Sequence, residues 1–268
     1  FTLYGLIAQT IETDADRSYV VFRLDRRAKF SDGAPITAAD ILFTFDLLKT
    51  RGRPQQRIAY GLVRSIVAVD DWTVRYDLTG ANDRELPLTL ALMPVLPKHK
   101  TNVERFSDSS LDIPVGSGPY RIASIKPGEE VLLKRNPDYW GRDLPICRGL
   151  YNFDEIVVSY YRDANSMFES FKAGLLDYRM EGNPTRWKTG YNFPAVRDGR
   201  VKKEELRVGT PRGMEGFAFN TRRPLFKDVR VREALAIMFD FEWINHNLFD
   251  DLYTRTVSFF DNSDLAST

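Results

Sequence analysis

The sequence predicts a chain that mixes α-helices with β-strands and forms more than one lobe. Strand and helix patterns interleave along the 268 residues without strict alternation, which is typical of an α/β or α+β fold. Apolar residues make up 43% of the chain and aromatic residues 13%, enough for a packed core and too many for global disorder. A chain of this length can form one large domain or two ordinary ones.

The charge balance and the scarcity of cysteine exclude several kinds of function. Lysine and arginine total 38 against 37 acidic residues, a net charge of +1 that gives no electrostatic case for binding nucleic acid or an anionic membrane. No run approaches the roughly 20 apolar residues that cross a bilayer. Cys147 is the single cysteine, which excludes an internal disulfide and a multi-cysteine metal site. A catalytic thiol would need one of the two histidines, His99 or His246, as its partner, and a buried, unreactive thiol is the simpler interpretation.

Alternating hydrophobicity predicts strands in the first third of the chain. Over 20–25 one face is wholly apolar, and the other carries the polar residues Arg23 and Asp25. The same alternation recurs at 74–78. Both segments are therefore predicted to pack one face on a core.

Between these strands the sequence predicts a helix with a defined beginning. Thr37 and Asp40 have the spacing of a capping box, and apolar residues follow at helical spacing from 41 to 48. Three prolines between 87 and 97 argue against a long helix in that region.

The middle of the chain predicts a hairpin and then a helix. Two alternating segments flank a turn at 126–129, and another strand is predicted at 156–160. A helix is predicted to begin near Asp163 and to end at Gly174, because glycine suits the left-handed position after a helix.

The last third changes character. Residues 183–194 are rich in turn formers, and strands are predicted around 206–208 and 217–219. Asp228 is positioned to cap a helix with apolar residues at 231, 234, 235 and 238, and a second helix is predicted around 243–248.

Motifs of catalysis are missing from the sequence. It contains no zinc-binding H-E-x-x-H, no nucleophile elbow and no phosphate-binding loop. The glycine pair at 116 and 118 lacks the third glycine of a dinucleotide fingerprint, so a tight turn is the better interpretation. Aromatic residues beside turns offer contact area for a ligand, although core packing is the common alternative for each. These residues are Tyr60, Trp140, Trp187, Tyr191 and Phe217.

Five ordered landmarks resemble one protein family. The chain is similar to the extracellular solute-binding proteins of the dipeptide and oligopeptide class. The landmarks are FRL at 22–24 with AKFSDG at 28–33 and PITAADI at 35–41, GSGPY at 116–120, NPDYWG at 136–141, FKAG at 171–174 with Asp177, and FNTRRP at 219–224 with FKDVRVR at 226–232.

A narrower set of segments resembles the branch typified by the binding protein of the Yej importer. That branch handles oligopeptides and peptide-like compounds, including microcin C-type antibiotics and, in some members, peptides released from the cell wall. The segments are NFDEI at 152–156, YRD at 161–163, YNFPAV at 191–196 and FDFE at 239–242.

The resemblance implies an α/β two-lobe periplasmic binding protein, a type II clamshell of the oligopeptide-binding subclass, here incomplete. Members are considerably longer and carry a signal peptide, so the chain is expected to be an internal fragment. Residues 1–115 are expected to form a small subdomain of the first lobe, 116–180 the part leading to the interlobe crossing, and 181–268 the truncated start of the second lobe. Closure of the lobes would sequester a ligand.

The resemblance also implies the biological role. A monomeric periplasmic receptor in a Gram-negative bacterium would bind an oligopeptide or peptide-like ligand and deliver it to an ABC permease in the inner membrane. It would need no cofactor and no metal, would bind no nucleic acid and would not be an enzyme.

Site residues follow from the expected path of the chain across the lobes. Residues 177–181 read as a strand whose end, 179–183, would face the ligand, and 215–220 as the return strand. Arg179 can pair with a peptide carboxylate, or equally form an internal salt bridge with Glu181 or Asp177. The predicted ligand-binding residues are Tyr60, Arg179, Met180, Glu181, Gly182, Asn183, Trp187, Glu215 and Phe217.

Two other functions stay open at this point. The same fold could act as a peptide sensor or chaperone. A peptide or cell-wall hydrolase could use Glu181 or Glu215 as general base, which predicts a carboxylate with a raised pKa.

Overall fold

The computed structural model describes residues 3–80 and 83–267. The chain divides into two compact units, Phe1–Tyr161 and Arg162–Thr268. The sequence placed boundaries after residues 115 and 180, and the assignment of those ranges to lobes stays a prediction. Among the described residues, no helix combines the length and the apolar character needed to cross a membrane.

The first unit contains an antiparallel sheet with the strand order β1-β2-β4-β3. Two of its strands, at 20–25 and 74–78, match the sequence prediction. The strands are β1 (Ala8–Thr13), β2 (Tyr19–Leu24), β3 (Val63–Asp70) and β4 (Thr73–Leu78).

Asp25 departs from the predicted pattern, since it follows directly after β2 and is buried, not on a solvated face. Its carboxylate accepts hydrogen bonds from the backbone N–H of Arg27 at 2.8 Å and from the Arg27 guanidinium at 2.7 Å. A charged residue can be buried when its oxygens are paired in this way.

Helices cover the sheet and complete its core. The predicted capping box is present, because Asp40 accepts the backbone N–H of Thr37 at the start of the first helix. Apolar side chains of this helix, among them Phe45 and Leu48, pack with those of the sheet in one buried cluster. The helices are α1 (Ala38–Arg51), α2 (Pro54–Gly61) and the short α3 (Leu86–Ala91).

A second antiparallel sheet of the first unit has the order β5-β6-β7. The predicted hairpin is confirmed, and Gly128 in its turn has a φ of +76°, which glycine adopts without strain. A 3₁₀ turn, Pro145–Cys147, buries the single thiol. The strands are β5 (Tyr120–Lys126), β6 (Glu130–Arg135) and β7 (Glu155–Ser159).

The described residues of the second unit form helices and irregular segments. The predicted helix of 163–174 is confirmed: Asp163 accepts the N–H groups of Asn165 and Ser166, and Gly174 follows the helix at a φ of +79°. Asp228 and Asp240 cap later helices in the same way. The helices are α4 (Ala164–Lys172), α5 (Pro184–Thr189), α6 (Pro194–Arg197), α7 (Pro224–Lys227), α8 (Val229–Met238) and α9 (Phe241–Phe249).

The strands predicted at 177–181, 206–208 and 215–220 are wrong for this structure, which has no strand at these positions. A strand exists only as one member of a hydrogen-bonded pair, and alternation of apolar residues does not supply the partner. Helix α8 shows that periodicity also does not decide which side chains are buried. Its helical spacing was predicted correctly, yet Met238 on the predicted apolar face is 81% exposed.

Candidate functional site

Three of the predicted site residues, Arg179, Glu181 and Asn183, take part in a network around one buried ion pair. Arg179 Nη1 lies 2.5 Å from Glu181 Oε2. The side chains of Arg179 and Glu181 are only 4% and 3% exposed. The structure therefore contains the internal salt bridge that was one of the two interpretations of Arg179, and the guanidinium is already neutralised within the protein.

Tyr191 joins this ion pair from a different segment of the chain. Its hydroxyl accepts a hydrogen bond from Arg179 Nη1 at 2.6 Å and donates one to Glu181 Oε2 at 3.2 Å. One hydroxyl thus contacts both charged groups. The contact closes a triangle that joins the residues before α5 to the residues after it.

Asn183 and Arg186 occupy the second oxygen of Glu181. The backbone N–H of Asn183 donates to Oε1 at 2.9 Å, and the guanidinium of Arg186 lies 3.6 Å from the same atom. The Asn183 side chain accepts the N–H of Arg186 at 2.8 Å and so caps α5. Glu181 consequently fixes both the turn at 181–183 and the beginning of the next helix.

Electrostatics favour an ionised Glu181. Burial raises the pKa of its carboxyl, but hydrogen bonds from Arg179 and from the Asn183 N–H outweigh burial, so that the pKa lies below its usual range. Burial lowers the pKa of Arg179, yet hydrogen bonding to Glu181 leaves it above the ordinary value. The pKa of Tyr191 is raised, mainly by burial. Each group keeps its ordinary charge at neutral pH.

Aromatic rings enclose the network. The guanidinium carbons of Arg179 and Arg186 each lie 5.2 Å from the centre of the Phe168 ring, within the range of cation–π attraction. Phe168 also packs edge-on against Tyr191 at 5.3 Å. Arg179 Nε is buried and has no hydrogen-bond partner within the described part of the chain, which makes the neighbouring π surface its available compensation.

Trp187 lies at the margin of this cluster. Its ring packs against Tyr191 at 5.8 Å, and its indole N–H donates to Glu205 Oε1 at 3.1 Å. Lys203 Nζ lies 4.2 Å from the centre of the Trp187 ring. These three contacts hold Trp187 in position. The residue is half-buried, so part of it stays accessible.

Met180 and Gly182 are residues of this segment that face solvent. Met180 lies between the two buried ionic residues and is itself 79% exposed. Gly182 and Asn183 are exposed as well. The segment therefore combines a fixed backbone with an accessible, adaptable side chain.

Glu215 and Phe217 belong to a separate extended segment. Both are exposed, Phe217 to 87%. Within the described part of the chain, no hydrogen bond or ring contact joins them to the Arg179 network. Their role in ligand binding stays a prediction.

Tyr60 has the opposite environment from Phe217. It lies in α2, is 3% exposed and packs its ring 5.5 Å from that of Phe45 in the core of the first unit. Burial raises the pKa of its hydroxyl. The structure thus places Tyr60 in core packing, the alternative considered for each aromatic residue, and its contact with a ligand rests on resemblance alone.

Sequence reasoning did not assign Tyr191, Arg186 or Phe168 to the site. Tyr191 was recognised only as an aromatic residue beside a turn. Spacing gave no signal for the contact, because Glu181 and Tyr191 are 10 positions apart and the segment between them includes a helix whose length decides where the hydroxyl lies.

The first unit holds a cavity of about 230 Å³ that the sequence did not suggest. The Tyr139 hydroxyl and Cys147 Sγ lie 3.9 Å apart in its wall. The lining residues are Pro119, Arg135, Asn136, Pro137, Tyr139, Arg142, Cys147, Leu150, Tyr151 and Asn152. Among residues 3–80 and 83–267, no three histidine, cysteine or acidic side chains are placed to hold a metal ion.

Comparison with known proteins connects this chain to one family. The model of the family described as bacterial extracellular solute-binding proteins, family 5 Middle, matches residues 2–268. A relative from Brucella suis biovar 1, named only as a binding protein, is 51% identical over 268 residues, which is 100% of this chain and 44% of the relative. The peptidoglycan-binding protein YepA of Agrobacterium fabrum is 44% identical over 275 residues, covering 100% of this chain and 45% of YepA.

Solved structures share the fold. NikA from Brucella suis in complex with Fe(III)-EDTA has a TM-score of 0.76 at 23% identity, over 98% of this chain and 51% of NikA. The oligopeptide-binding protein AppA from Bacillus subtilis in complex with a nonapeptide has a TM-score of 0.66 at 22% identity, over 92% of this chain and 47% of AppA. The predicted fold class is confirmed, and the chain spans about half the length of the proteins it matches. The chain belongs to the bacterial extracellular solute-binding proteins of family 5.

Proposed function

We propose that this chain is part of a periplasmic receptor that captures oligopeptides or peptide-like compounds and delivers them to an ABC permease in the inner membrane of a Gram-negative bacterium. The observation that carries the proposal is the family match over residues 2–268. The receptor acts as a monomer, without cofactor and without chemistry on its ligand.

The similar proteins support a peptide ligand more strongly than the fold by itself does. One relative is named for binding peptidoglycan, whose cross-linking stems are peptides, and AppA was solved with a nonapeptide. NikA has the same fold and holds a metal chelate, so the fold alone leaves the ligand open. Microcin C-type antibiotics and peptides released from the cell wall fall within the proposed class.

Irregular segments of the second unit supply groups suited to peptides. Residues 177–183 and 215–220 form no strand in the described structure. Their backbone N–H and C=O groups can pair with an extended peptide, which gives affinity without sequence choice. Met180, Trp187 and Phe217 then offer adaptable or flat apolar surfaces for varied side chains.

The state of Glu181 supports binding over hydrolysis. A general base in a hydrolase needs a raised pKa, whereas the hydrogen bonds from Arg179 and Asn183 overcome burial and depress the pKa of Glu181. Its two oxygens are also occupied by protein donors. The Glu181 side chain is only 3% exposed, which leaves little access for a substrate water.

Native mass spectrometry of the full-length protein, purified without denaturation, tests the proposal. We expect retained peptides, and an increase in melting temperature when oligopeptides, muropeptides or a microcin C-type compound are added. A nickel or iron chelate serves as the contrasting ligand. Retention of a chelate, with no peptide bound and no shift by any peptide, would overturn the peptide assignment.

A further inference from the structure

We propose that Arg179 is a positioning residue, which together with Glu181 and Tyr191 locks the loop at 180–183 into its binding conformation and does not itself contact a ligand carboxylate. This inference rests on the proposed function, since it specifies how the receptor prepares its ligand-facing loop. It also gives a different role to Arg179, which the sequence analysis predicted could pair with a peptide carboxylate.

The contacts that Arg179 already makes within the protein are the first support. Its Nη1 contacts Glu181 at 2.5 Å and Tyr191 at 2.6 Å, and the side chain is 4% exposed. A ligand carboxylate would have to enter this buried volume and displace Glu181. The displaced carboxylate would then be a buried charge without its partner, which is strongly unfavourable.

The exposure pattern of three consecutive residues is the second support. Arg179 and Glu181 are buried, while Met180 between them is 79% exposed. The ion pair holds the residues on both sides of Met180, whose own side chain faces solvent. Anchoring Arg179 and Glu181 inside therefore directs Met180 outward.

Continuity from the ion pair to Trp187 is the third support. Glu181 accepts the N–H of Asn183, whose side chain caps α5, and α5 carries Trp187. Tyr191 lies beyond the other end of α5 and binds back to Arg179. The network thus holds both ends of the helix that presents Trp187.

Hydrogen exchange of the full-length protein without ligand tests the locking directly. Tyr191→Phe removes only the shared hydroxyl, and we expect amides at 181–187 to exchange about tenfold faster, the factor expected for the loss of one hydrogen bond. Tyr178→Phe is the matched control, because Tyr178 is exposed on the same segment. Equal exchange in the two variants would overturn the proposal. Glu181→Gln, which removes the charge and keeps the shape, should loosen the same amides.

A comparison of two ligands tests the exclusion of carboxylate binding. Tetra-alanine is titrated as the free acid and as the C-terminal amide against the wild type, Arg179→Lys and Tyr191→Phe. We expect both variants to weaken both ligands by the same factor, about tenfold, so that the ratio of acid to amide affinity stays constant. If Arg179→Lys weakens the free acid alone, Arg179 is a ligand contact and the inference fails.

The two tests separate this inference from the proposed function. A wild-type protein that binds neither form of tetra-alanine, nor any retained peptide, contradicts the peptide receptor. The exchange measurement still decides whether the network locks the loop.

Discussion

The carboxylate of Asp40 accepts the backbone N–H of Lys98 at 3.0 Å, a hydrogen bond between residues 58 positions apart. Its other oxygen accepts the N–H of Thr37 at 3.0 Å. One buried side chain therefore caps α1 and also ties the segment after α3 to the beginning of that helix.

Asp40→Ala should lower the free energy of unfolding by about 2 kcal/mol, since it removes a helix cap and leaves a second amide without its acceptor. Asp46→Ala is the control, because Asp46 is an exposed carboxylate of the same helix. Urea denaturation of both variants measures the difference. Equal stability of the two would show that the bond to Lys98 adds nothing.

Thr44 makes a similar long-range contact with a different expected outcome. It is fully buried, and its hydroxyl accepts the N–H of Leu96 at 2.9 Å. Thr44→Val keeps the shape and leaves that amide unpaired, so we expect a loss of about 1–3 kcal/mol. Thr44→Ser keeps the hydroxyl and should retain more stability than the valine variant, as thermal denaturation can show. The reverse order would mean that packing of the methyl group dominates.

Asp25 should make the stability depend on pH. Hydrogen bonds from the Arg27 side chain, opposed by burial, lower the pKa of Asp25 from 3.8 to about 2. A depressed folded-state pKa stabilises the protein above pH 3.8, and this contribution disappears as the pH falls towards 2. Because Arg27 is largely exposed, the contribution is about 1–2 kcal/mol.

The measurement compares wild type and Asp25→Asn by urea denaturation from pH 7 to pH 2. The gap in unfolding free energy should be greatest at neutral pH and should narrow below pH 4. Asp16→Asn, in the exposed turn before β2, controls for loss of a surface charge. A gap that stays constant with pH would contradict the ionic role of Asp25.

Substitution of two glycines by alanine should change the stability of the protein in opposite directions. Gly128 has a φ of +76° and open space around it, so Gly128→Ala costs about 1 kcal/mol through backbone strain alone. Gly61 lies in helix α2, also in open space, and Gly61→Ala should raise the stability by about 0.5–1 kcal/mol. Thermal unfolding of the two variants checks the signs, and a stabilising change at Gly128 would contradict the turn geometry.

Truncation of two aromatic rings should separate core from ligand contact. Tyr60→Ala removes a ring that is 3% exposed and should cost about 3 kcal/mol. Phe217→Ala removes an exposed ring and should change the stability by less than about 0.5 kcal/mol while it weakens peptide retention. Unfolding and native mass spectrometry of both variants in the full-length protein give the two readouts. A Tyr60→Ala protein that keeps its stability and loses its peptide would show that Tyr60 contacts the ligand.

The sequence by itself determined the family and many of the local elements. The capping box of Thr37 and Asp40, the turn at Gly128 and the beginning of a helix near Asp163 were each predicted correctly. These features depend on residues within a few positions of one another, so a single sequence contains all of their causes.

Only the tertiary structure decided which side chains have partners. In the folded chain Asp25 is buried, Arg179 binds Glu181 and Tyr191, and residues 215–220 form no strand. Periodicity shows which groups favour burial or pairing, whereas the partner comes from a distant segment whose position depends on the lengths of the elements between them. For this protein, that difference separates the accessible Met180 from the buried, ion-paired Arg179 beside it.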